Sequence, residues 1–301
     1  METHKPFVIA IVGPTAIGKS EYAIRLAKQM GGEIISADSR QVYKGLDVGS
    51  GKVTKKEMRG VPHYLLDVVS PTKVFSAHDF KKKAEPILRN ILARGKTPIV
   101  VGGTGFYIDA LLGHRILPKV APNKELRKTL EKMTAGELFK VLEEMDPARA
   151  KTIDAKNKVR LVRAIEIAKA LGKVPELKTE ELPYQTLWIG LTADRDVIQK
   201  KIAIRTRAQL KSGMVEELHK LKEESKVTWK RLHEMGLEQR LCAEYLKGNI
   251  TQSELEKQLI EKTYQYAMRQ LRWFKRNKQI NWIDLQHMTK TPGDKIKQFL
   301  K

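Results

Sequence analysis

A chain of 301 residues, 41% hydrophobic and 31% charged, has the composition of a globular protein with one large domain or two modest ones, which excludes a disordered chain. Its 57 Lys+Arg against 35 Asp+Glu leave a net charge of +22. We favour binding to a polyanion such as a nucleic acid as the explanation of this charge; the alternative is a lysine-rich surface that only keeps the protein soluble. No apolar run approaches the roughly 20 residues of a membrane helix, and the single cysteine, Cys242, excludes an internal disulfide and fits a reducing cytosol.

The N-terminus has no signal-peptide layout and leads directly into an alternation of apolar, strand-like runs and helical stretches. The strand-like runs are Phe7–Val12, Glu33–Ala37 and Thr97–Val101, and Lys19–Met30 has helical spacing of its apolar residues. Strands separated by helices imply parallel βαβ units. We therefore predict an α/β core, with a parallel sheet covered by helices on both faces.

The strand pattern stops after Pro118, where three helices are predicted: Glu125–Met133, Ala135–Met145 and one from about Asn157 to Leu171. We interpret residues 118–185 as a helical insertion domain within a core formed by residues 1–117 and 186–301.

The last part of the chain returns to the alternating pattern of the core. The predicted elements are a strand at Leu187–Leu191, long helices at Ile198–Glu224 and Gln252–Lys278, and a short strand at Ile280–Leu285. The segment from Lys262 to Lys278 carries six basic and no acidic residues, so one face of this helix is a candidate for contact with a nucleic-acid backbone.

The strongest chemical signal is a complete G-x-x-x-x-G-K-[ST] phosphate-binding loop between the first strand and the first helix. Its residues are Gly13, Pro14, Thr15, Ala16, Ile17, Gly18, Lys19 and Ser20. Backbone N–H groups and the positive end of the helix would bind phosphate oxygens. Lys19 would reach the outer phosphate, and the Ser20 hydroxyl would be a ligand of Mg²⁺.

The loop does not continue as in a motor or switch ATPase, which needs an Asp at the end of an apolar strand to organise Mg²⁺. The run Pro98–Val101 is followed by Gly102-Gly103-Thr104-Gly105, and the carboxylate comes instead after the second strand, as Asp38. An acid beside bound phosphates could deprotonate an incoming nucleophile. The alternative is that Asp38 is only a helix N-cap.

Several segments, in this order, resemble the tRNA dimethylallyltransferase family over almost the whole chain. Besides the loop Gly13–Ser20, they are Asp38–Lys52, Val61–Asp67, Phe75–Phe80, Val101–Tyr107, Val159–Glu166, the helix with Arg205 and Gly213–Glu217, and Tyr266–Arg276. There is no Cys/His cluster of the kind that forms the zinc finger of eukaryotic relatives, so the chain is similar to the bacterial type.

The resemblance implies a prenyl transfer instead of a phosphoryl transfer. The P-loop would hold the diphosphate of dimethylallyl diphosphate with Mg²⁺ bound through Ser20, and Arg205 would also contact the diphosphate. Asp38 would be the general base for N6 of the adenosine 3′ of the anticodon, and Thr15 and Thr104 would contact the reacting end.

The resemblance also implies that the protein binds the anticodon stem-loop of tRNA, with the insertion acting as a clamp. The implied tRNA contacts are Asp38, Ser39, Arg40, Gln41, Arg127, Val159, Arg160, Leu161, Val162, Arg163 and Arg269. Arg160 and Arg163 could bracket a phosphate or could lie in solvent. We expect a cytoplasmic monomer with no obligate protein partner and no membrane contact.

The chain departs from the family pattern in its C-terminal third. It has Gly236-Leu237 where the family usually has Gly-Tyr, and Tyr264 and Met268 in a segment usually rich in Thr-Arg and Ala-Lys-Arg. One aromatic and one cationic tRNA contact are therefore missing or relocated. Two other functions remain open: prenylation of free AMP or ADP, which needs neither the charge nor a clamp, and a P-loop small-molecule kinase, which needs ATP.

Overall fold

The computed structural model of the protein describes residues 5–113, 116–176, 179 and 181–286. The strands within these residues are β1 (Phe7–Val12), β2 (Glu33–Ser36), β3 (His63–Tyr64), β4 (Pro98–Val101), β5 (Gln185–Thr192) and β6 (Asn281–Asp284). The helices are α1 (Lys19–Met30), α2 (Lys55–Met58), α3 (Ala77–Ala93), α4 (Gly105–Leu111), α5 (Lys124–Leu130), α6 (Ala135–Met145), α7 (Pro147–Ala150), α8 (Lys158–Leu171), α9 (Arg195–Lys211), α10 (Met214–Glu223), α11 (Trp229–Met235), α12 (Leu237–Leu246) and α13 (Gln252–Phe274).

The six strands form one parallel sheet in the order β3-β2-β4-β1-β5-β6. The connection after β1 leads to β2, towards one edge of the sheet. The connection after β4, which lies next to β1, leads to β5, towards the other edge. The strand order therefore reverses at the β1–β4 pair. In parallel sheets, ligands bind beyond the carboxyl ends of the strands at such a point.

The central strand β1 is buried on both faces, as its unbroken apolar sequence requires. Ile9 and Ile11 pack with Leu26 of α1, Ile202 of α9 and Ala267 of α13 in the main core cluster. Val8, Ala10 and Val12 alternate with them along the strand and are also fully buried. Helices thus cover both faces of the sheet, which confirms the predicted fold class.

The elements with the clearest local patterns are confirmed: Phe7–Val12, Lys19–Met30 and Ala135–Met145 are β1, α1 and α6 with the predicted bounds. The predicted long helix Ile198–Glu224 is wrong, because the chain forms α9 and α10 with a break at Gly213. This glycine has φ +90°, a left-handed conformation that separates α9 from α10, which begins at Met214.

The chain divides into two compact units, one formed by Met1–Gly113 and Glu181–Lys301 and the other by His114–Glu180. The second unit begins and ends four to five residues before the expected limits 118 and 185. Gln185 already belongs to β5 in the sheet. Within the described ranges, no helix is long and apolar enough to cross a membrane.

The unit His114–Glu180 has its own apolar core between α5, α6 and α8, in which Leu138, Leu142 and Leu161 are fully buried. Helix α6 begins with a capping box in which Thr134 and Glu137 bond each other's backbone N–H groups. These local signals explain why the sequence alone predicts α6 correctly.

Candidate active site

A cavity of about 950 Å³ lies where the carboxyl ends of β1, β2 and β4 meet. The loop after β1 contributes Thr15, Lys19 and Ser20 to its wall, and the segment after β2 contributes Asp38. Arg205 of α9 completes this part of the wall. The fold therefore brings into one cavity groups that are far apart in the sequence.

The phosphate-binding loop forms the turn between β1 and α1, so the first turn of α1 opens on the cavity. Lys19 bends back over the loop and donates a hydrogen bond from Nζ to the Pro14 carbonyl oxygen at 2.7 Å. Burial lowers the pKa of Lys19 to about 7; the Asp38 carboxylate opposes this shift, and Arg205 adds to it. A bound polyanion would favour the charged amine. Of the loop residues, Gly13, Pro14 and Ile17 are buried behind the cavity wall.

Asp38 closes a turn instead of capping a helix. Its Oδ1 accepts hydrogen bonds from the backbone N–H of Arg40 at 2.8 Å and of Gln41 at 3.4 Å. The helix N-cap alternative is wrong, since the next helix, α2, begins only at Lys55. The carboxylate remains on the cavity wall, half-buried.

Thr104, at the N-terminus of α4, is connected to the Asp38 turn. Its Oγ1 accepts the backbone N–H of Ser39 at 3.0 Å and donates to the Ser39 hydroxyl at 3.3 Å. Thr15, on the loop after β1, accepts a hydrogen bond at its Oγ1 from Arg205 Nη1 at 3.3 Å. Arg205 Nη2 donates to the Ser50 carbonyl oxygen at 3.2 Å. The two threonines thus belong to different loops of the same site.

The segment Asp47–Gly49 at the cavity wall is anchored by Glu217 of α10, a contact that sequence reasoning missed. The carboxylate accepts the backbone N–H groups of Asp47, Val48 and Gly49 at 2.6, 2.7 and 2.9 Å. Gln209 of α9 adds a hydrogen bond from Nε2 to the Val48 carbonyl oxygen at 2.6 Å. Glu217 stands within the family motif Gly213–Glu217, but no local pattern indicates which loop it holds.

Three further residues of the cavity wall were not anticipated: Glu238 of α12, and Tyr266 and Gln270 of α13. Burial raises the pKa of Glu238, and it raises the pKa of Tyr266 to about 12 with a further contribution from Asp38. Gln270 bonds both the loop after β1 and the loop after β4. The sequence pointed to this helix through its basic composition and through the family-like segment Tyr266–Arg276, but neither signal singled out Tyr266 or Gln270.

All five predicted tRNA contacts of the unit that contains the sheet line the same cavity: Asp38, Ser39, Arg40, Gln41 and Arg269. Arg269 lies over the ring of Tyr266, 5.8 Å from its centroid. Two residues that depart from the family pattern, Tyr264 and Met268, pack against the main core cluster, and Leu237 packs against a second apolar cluster.

The predicted contacts in the insertion have diverse surroundings. Arg127 makes a two-pronged ion pair with buried Glu166, with both N···O distances 2.7 Å. Arg163 donates to the same carboxylate at 3.1 Å and to the Val120 carbonyl oxygen at 2.7 Å. Arg163 thus has partners within the unit, and a phosphate held between Arg160 and Arg163 stays a prediction.

The remaining predicted residues of this group divide between the core and the surface. Leu161 and Val162 are buried in the apolar core of the insertion, whereas Val159 is 80% exposed and Arg160 is also exposed. Of the segment Val159–Arg163, only the first two side chains are freely available to a partner.

The described residues hold no group of three or more His, Cys, Asp or Glu side chains that could form a metal site. Ser20 lies on the cavity wall next to Lys19. One hydroxyl beside a phosphate-binding loop fits Mg²⁺, which keeps several waters and binds largely through substrate phosphates. It does not fit a metal held by the protein alone.

Comparison with known proteins gives a consistent result. Residues 41–277 match the family described as IPP transferase. A protein of Staphylococcus epidermidis named tRNA dimethylallyltransferase is 38% identical over 299 residues, which covers 96% of this chain and 90% of the relative.

Two solved structures have a fold similar to that of this chain. The full-length tRNA isopentenylpyrophosphate transferase of Bacillus halodurans has 34% identity and a TM-score of 0.73, covering 98% of this chain and 95% of that one. A eukaryotic dimethylallyltransferase acting on tRNA has 24% identity and a TM-score of 0.82, covering 98% of this chain and 79% of the other, and it supports the fold.

Proposed function

The chain belongs to the IPP transferase family, and we propose that it transfers the dimethylallyl group of dimethylallyl diphosphate to N6 of the adenosine 3′ of the anticodon in tRNA, with release of pyrophosphate. The observation that carries this proposal is the single cavity in which the phosphate-binding loop, Asp38 and Arg205 meet. The names of the relatives favour this reaction over prenylation of free AMP or ADP and over phosphate transfer.

The diphosphate binds at the N-terminus of α1, where backbone N–H groups and the helix dipole attract anions. Lys19 and Arg205 supply positive charge beside it. Their charge matters most while the C1–O bond of the prenyl donor breaks, because the leaving pyrophosphate then becomes more anionic. Preorganised groups stabilise this charge without having to reorient.

Asp38 accepts the proton that N6 of the adenine loses as it attacks C1 of the prenyl chain. The adenine amine is a weak nucleophile, so removal of its proton assists formation of the N–C bond. The hydrogen bonds from the backbone N–H of Arg40 and Gln41 orient the Asp38 carboxyl group through Oδ1. Thr15 and Thr104 contact the reacting end from the two loops that flank it.

Mg²⁺ is the proposed cofactor, bound through the Ser20 hydroxyl together with the substrate phosphates. When bound, it supplies Lewis-acid stabilisation of the pyrophosphate leaving group.

The tRNA contributes an adenosine that must leave the stacked anticodon loop to reach the cavity. Extruding a base from a loop costs only a few kcal/mol, because a base in a single-stranded loop is unpaired and only partly stacked. Ser39, Arg40, Gln41 and Arg269 are the proposed contacts at the cavity. The insertion binds the anticodon stem, with Arg160 its most accessible cationic candidate.

We propose that the protein acts as a monomer without an obligate protein partner. An enzyme that modifies tRNA with a soluble diphosphate is expected in the cytoplasm.

The test is transfer of a labelled dimethylallyl group, with Mg²⁺, to unmodified tRNA that carries an adenosine 3′ of the anticodon. Free AMP and a tRNA with guanosine at that position are the matched acceptors. Label on the adenosine tRNA alone is the expected result. Label on AMP alone would favour the free-nucleotide reaction, and transfer of phosphate from ATP without prenyl transfer would refute the proposal.

A further inference from the structure

Gln270 of α13 connects two loops of the cavity through one carboxamide group. Its Oε1 accepts the backbone N–H of Thr15 at 2.8 Å, and its Nε2 donates to the Gly103 carbonyl oxygen at 2.9 Å. The residue is only 6% exposed. A buried amide whose two ends are both hydrogen-bonded is rigidly held, since loss of either bond would leave a polar group unpaired.

The loop after β4 lies so close to Gln270 that a side chain at position 103 would displace the carboxamide. A Cβ at Gly103 would clash with Nε2 of Gln270, and it would lie 3.8 Å from Lys19 Nζ. The carboxamide therefore sits beside the lysine of the phosphate-binding loop, and it lines the cavity.

On the side of the diphosphate, the bond from Gln270 reaches Thr15, whose side chain is bonded to Arg205 at 3.3 Å. A backbone N–H at this point of a phosphate-binding loop would otherwise be available to an anion. Here it is committed to Gln270. The bond therefore fixes the position of the loop instead of adding to its affinity for phosphate.

On the side of the acceptor, the bond reaches Gly103, which directly precedes Thr104. The backbone N–H of Thr104 donates to the Ala37 carbonyl oxygen at 3.3 Å, and its Oγ1 accepts the N–H of Ser39 at 3.0 Å. Ala37 and Ser39 flank Asp38. Any movement of the Gly103–Thr104 loop is thus transmitted to the turn that carries the base.

We propose that Gln270 is a positioning residue of the transfer reaction, whose carboxamide sets the spacing between the loop for the diphosphate and the turn that carries Asp38. The inference rests on the proposed function, because the two sides are donor and acceptor sides only in a prenyl transfer. Displacement of reacting groups by about 1 Å can lower a rate by about 100-fold. The spacing between the loop and the turn affects the rate of the chemical step more than the binding of dimethylallyl diphosphate or of tRNA.

The experiment compares Gln270→Met, which keeps the volume and removes both hydrogen bonds, with Gln270→Glu, which keeps the acceptor for Thr15 and loses the amide donor to Gly103. For both variants we expect kcat to fall about 100-fold, with the KM for dimethylallyl diphosphate and for tRNA within about threefold of wild type. Gln252→Met and Gln252→Glu are matched controls on an exposed glutamine at the start of the same helix, outside the basic segment, and should have wild-type kinetics.

A pH profile distinguishes positioning from a general loss of packing. A protonated carboxyl group at position 270 can donate a hydrogen bond to the Gly103 carbonyl oxygen, whereas a carboxylate repels it. Burial raises the pKa of a carboxyl group at this position, so Gln270→Glu should regain activity relative to wild type as the pH falls, and Gln270→Met should not. The surrounding charged or titratable groups are present in every variant; they are Lys19, Asp38, Arg205 and Tyr266. The Gln270→Met variant shows the pH dependence that these groups cause without a carboxyl group at position 270.

Each outcome has a defined meaning. Absence of prenyl transfer by the wild-type protein would refute the proposed function and, with it, the inference that rests on that function. If the wild type is active, a Gln270→Met variant with kcat within about threefold of wild type would overturn the inference. A loss confined to the KM for the diphosphate would also overturn it. If Gln270→Met does not fold, the pH profile of Gln270→Glu decides, and a flat profile relative to wild type refutes the proposal.

Discussion

Replacing Asp38 with Asn separates the two roles that this carboxylate can have. The amide keeps an Oδ1 that can accept the backbone N–H groups of Arg40 and Gln41, but it cannot take up the proton of the adenine amine. We expect the turn to persist and turnover to fall by about two to four orders of magnitude, which corresponds to about 2.7–5.5 kcal/mol of activation free energy.

Asp38→Ala removes the turn as well as the base. Its two backbone hydrogen bonds contribute about 1 kcal/mol each at most, and the one of 3.4 Å contributes less. This variant should therefore lose about as much turnover as Asp38→Asn, together with about 1–2 kcal/mol of stability. The difference between the two variants in the free energy of unfolding measures the turn alone.

The assay is single-turnover transfer of a labelled dimethylallyl group to tRNA, with calorimetric binding of pyrophosphate as a control for the diphosphate site. Asp38 raises the pKa of Lys19, so its removal lowers that pKa further. Pyrophosphate binding should therefore be compared over a series of pH values below 7, so that the charge state of Lys19 is not mistaken for an effect of Asp38 itself. A rate near that of wild type for Asp38→Asn, with a slow and unstable Asp38→Ala, would refute the assignment of the base and leave Asp38 as a turn residue.

Three further predictions concern the charged groups of the site and of the insertion. The pKa of Lys19 is about 7, so the amine loses its charge as the pH rises above that value. Pyrophosphate affinity measured by calorimetry should therefore weaken by up to about tenfold per pH unit above 7, and the Lys19→Met variant should not show this pH dependence. Arg205→Ala removes a cation bonded to Thr15 and Ser50, so diphosphate affinity and kcat should each fall by about 10- to 100-fold; an effect on tRNA affinity alone would contradict its role. Glu166→Ala removes the carboxylate partner of Arg127 and Arg163, and Arg163 keeps its bond to the Val120 carbonyl oxygen. Since both arginines are about one-third exposed, chemical denaturation should show a loss of about 2–3 kcal/mol, and an unchanged midpoint would show that the ion pairs contribute nothing.

Local sequence determined the parts of this protein whose structure depends on neighbouring residues. The run Phe7–Val12 is apolar throughout, as a strand buried on both faces must be. The loop Gly13–Ser20 then leads into a helix with one apolar face, and the box formed by Thr134 and Glu137 begins α6. For the same reason the fold class and the position of the phosphate-binding loop were predictable.

The break at Gly213 shows the limit of such patterns. Apolar periodicity continues through this position, and only the left-handed backbone there divides the predicted helix in two. The role of Asp38 was also ambiguous from sequence, because an Asp can cap a helix or close a turn, and the conformation of the next residues decides between them.

Tertiary structure alone decided which side chains hold the cavity together. Gln270 is 255 residues from Thr15 and 167 from Gly103, and Glu217 lies about 170 residues from the loop that it anchors. No periodicity or local propensity encodes a contact over such a separation, because it exists only after the sheet has brought α9, α10 and α13 against the loops. The sequence thus determined the fold and the chemical groups of the site, and packing determined their spacing.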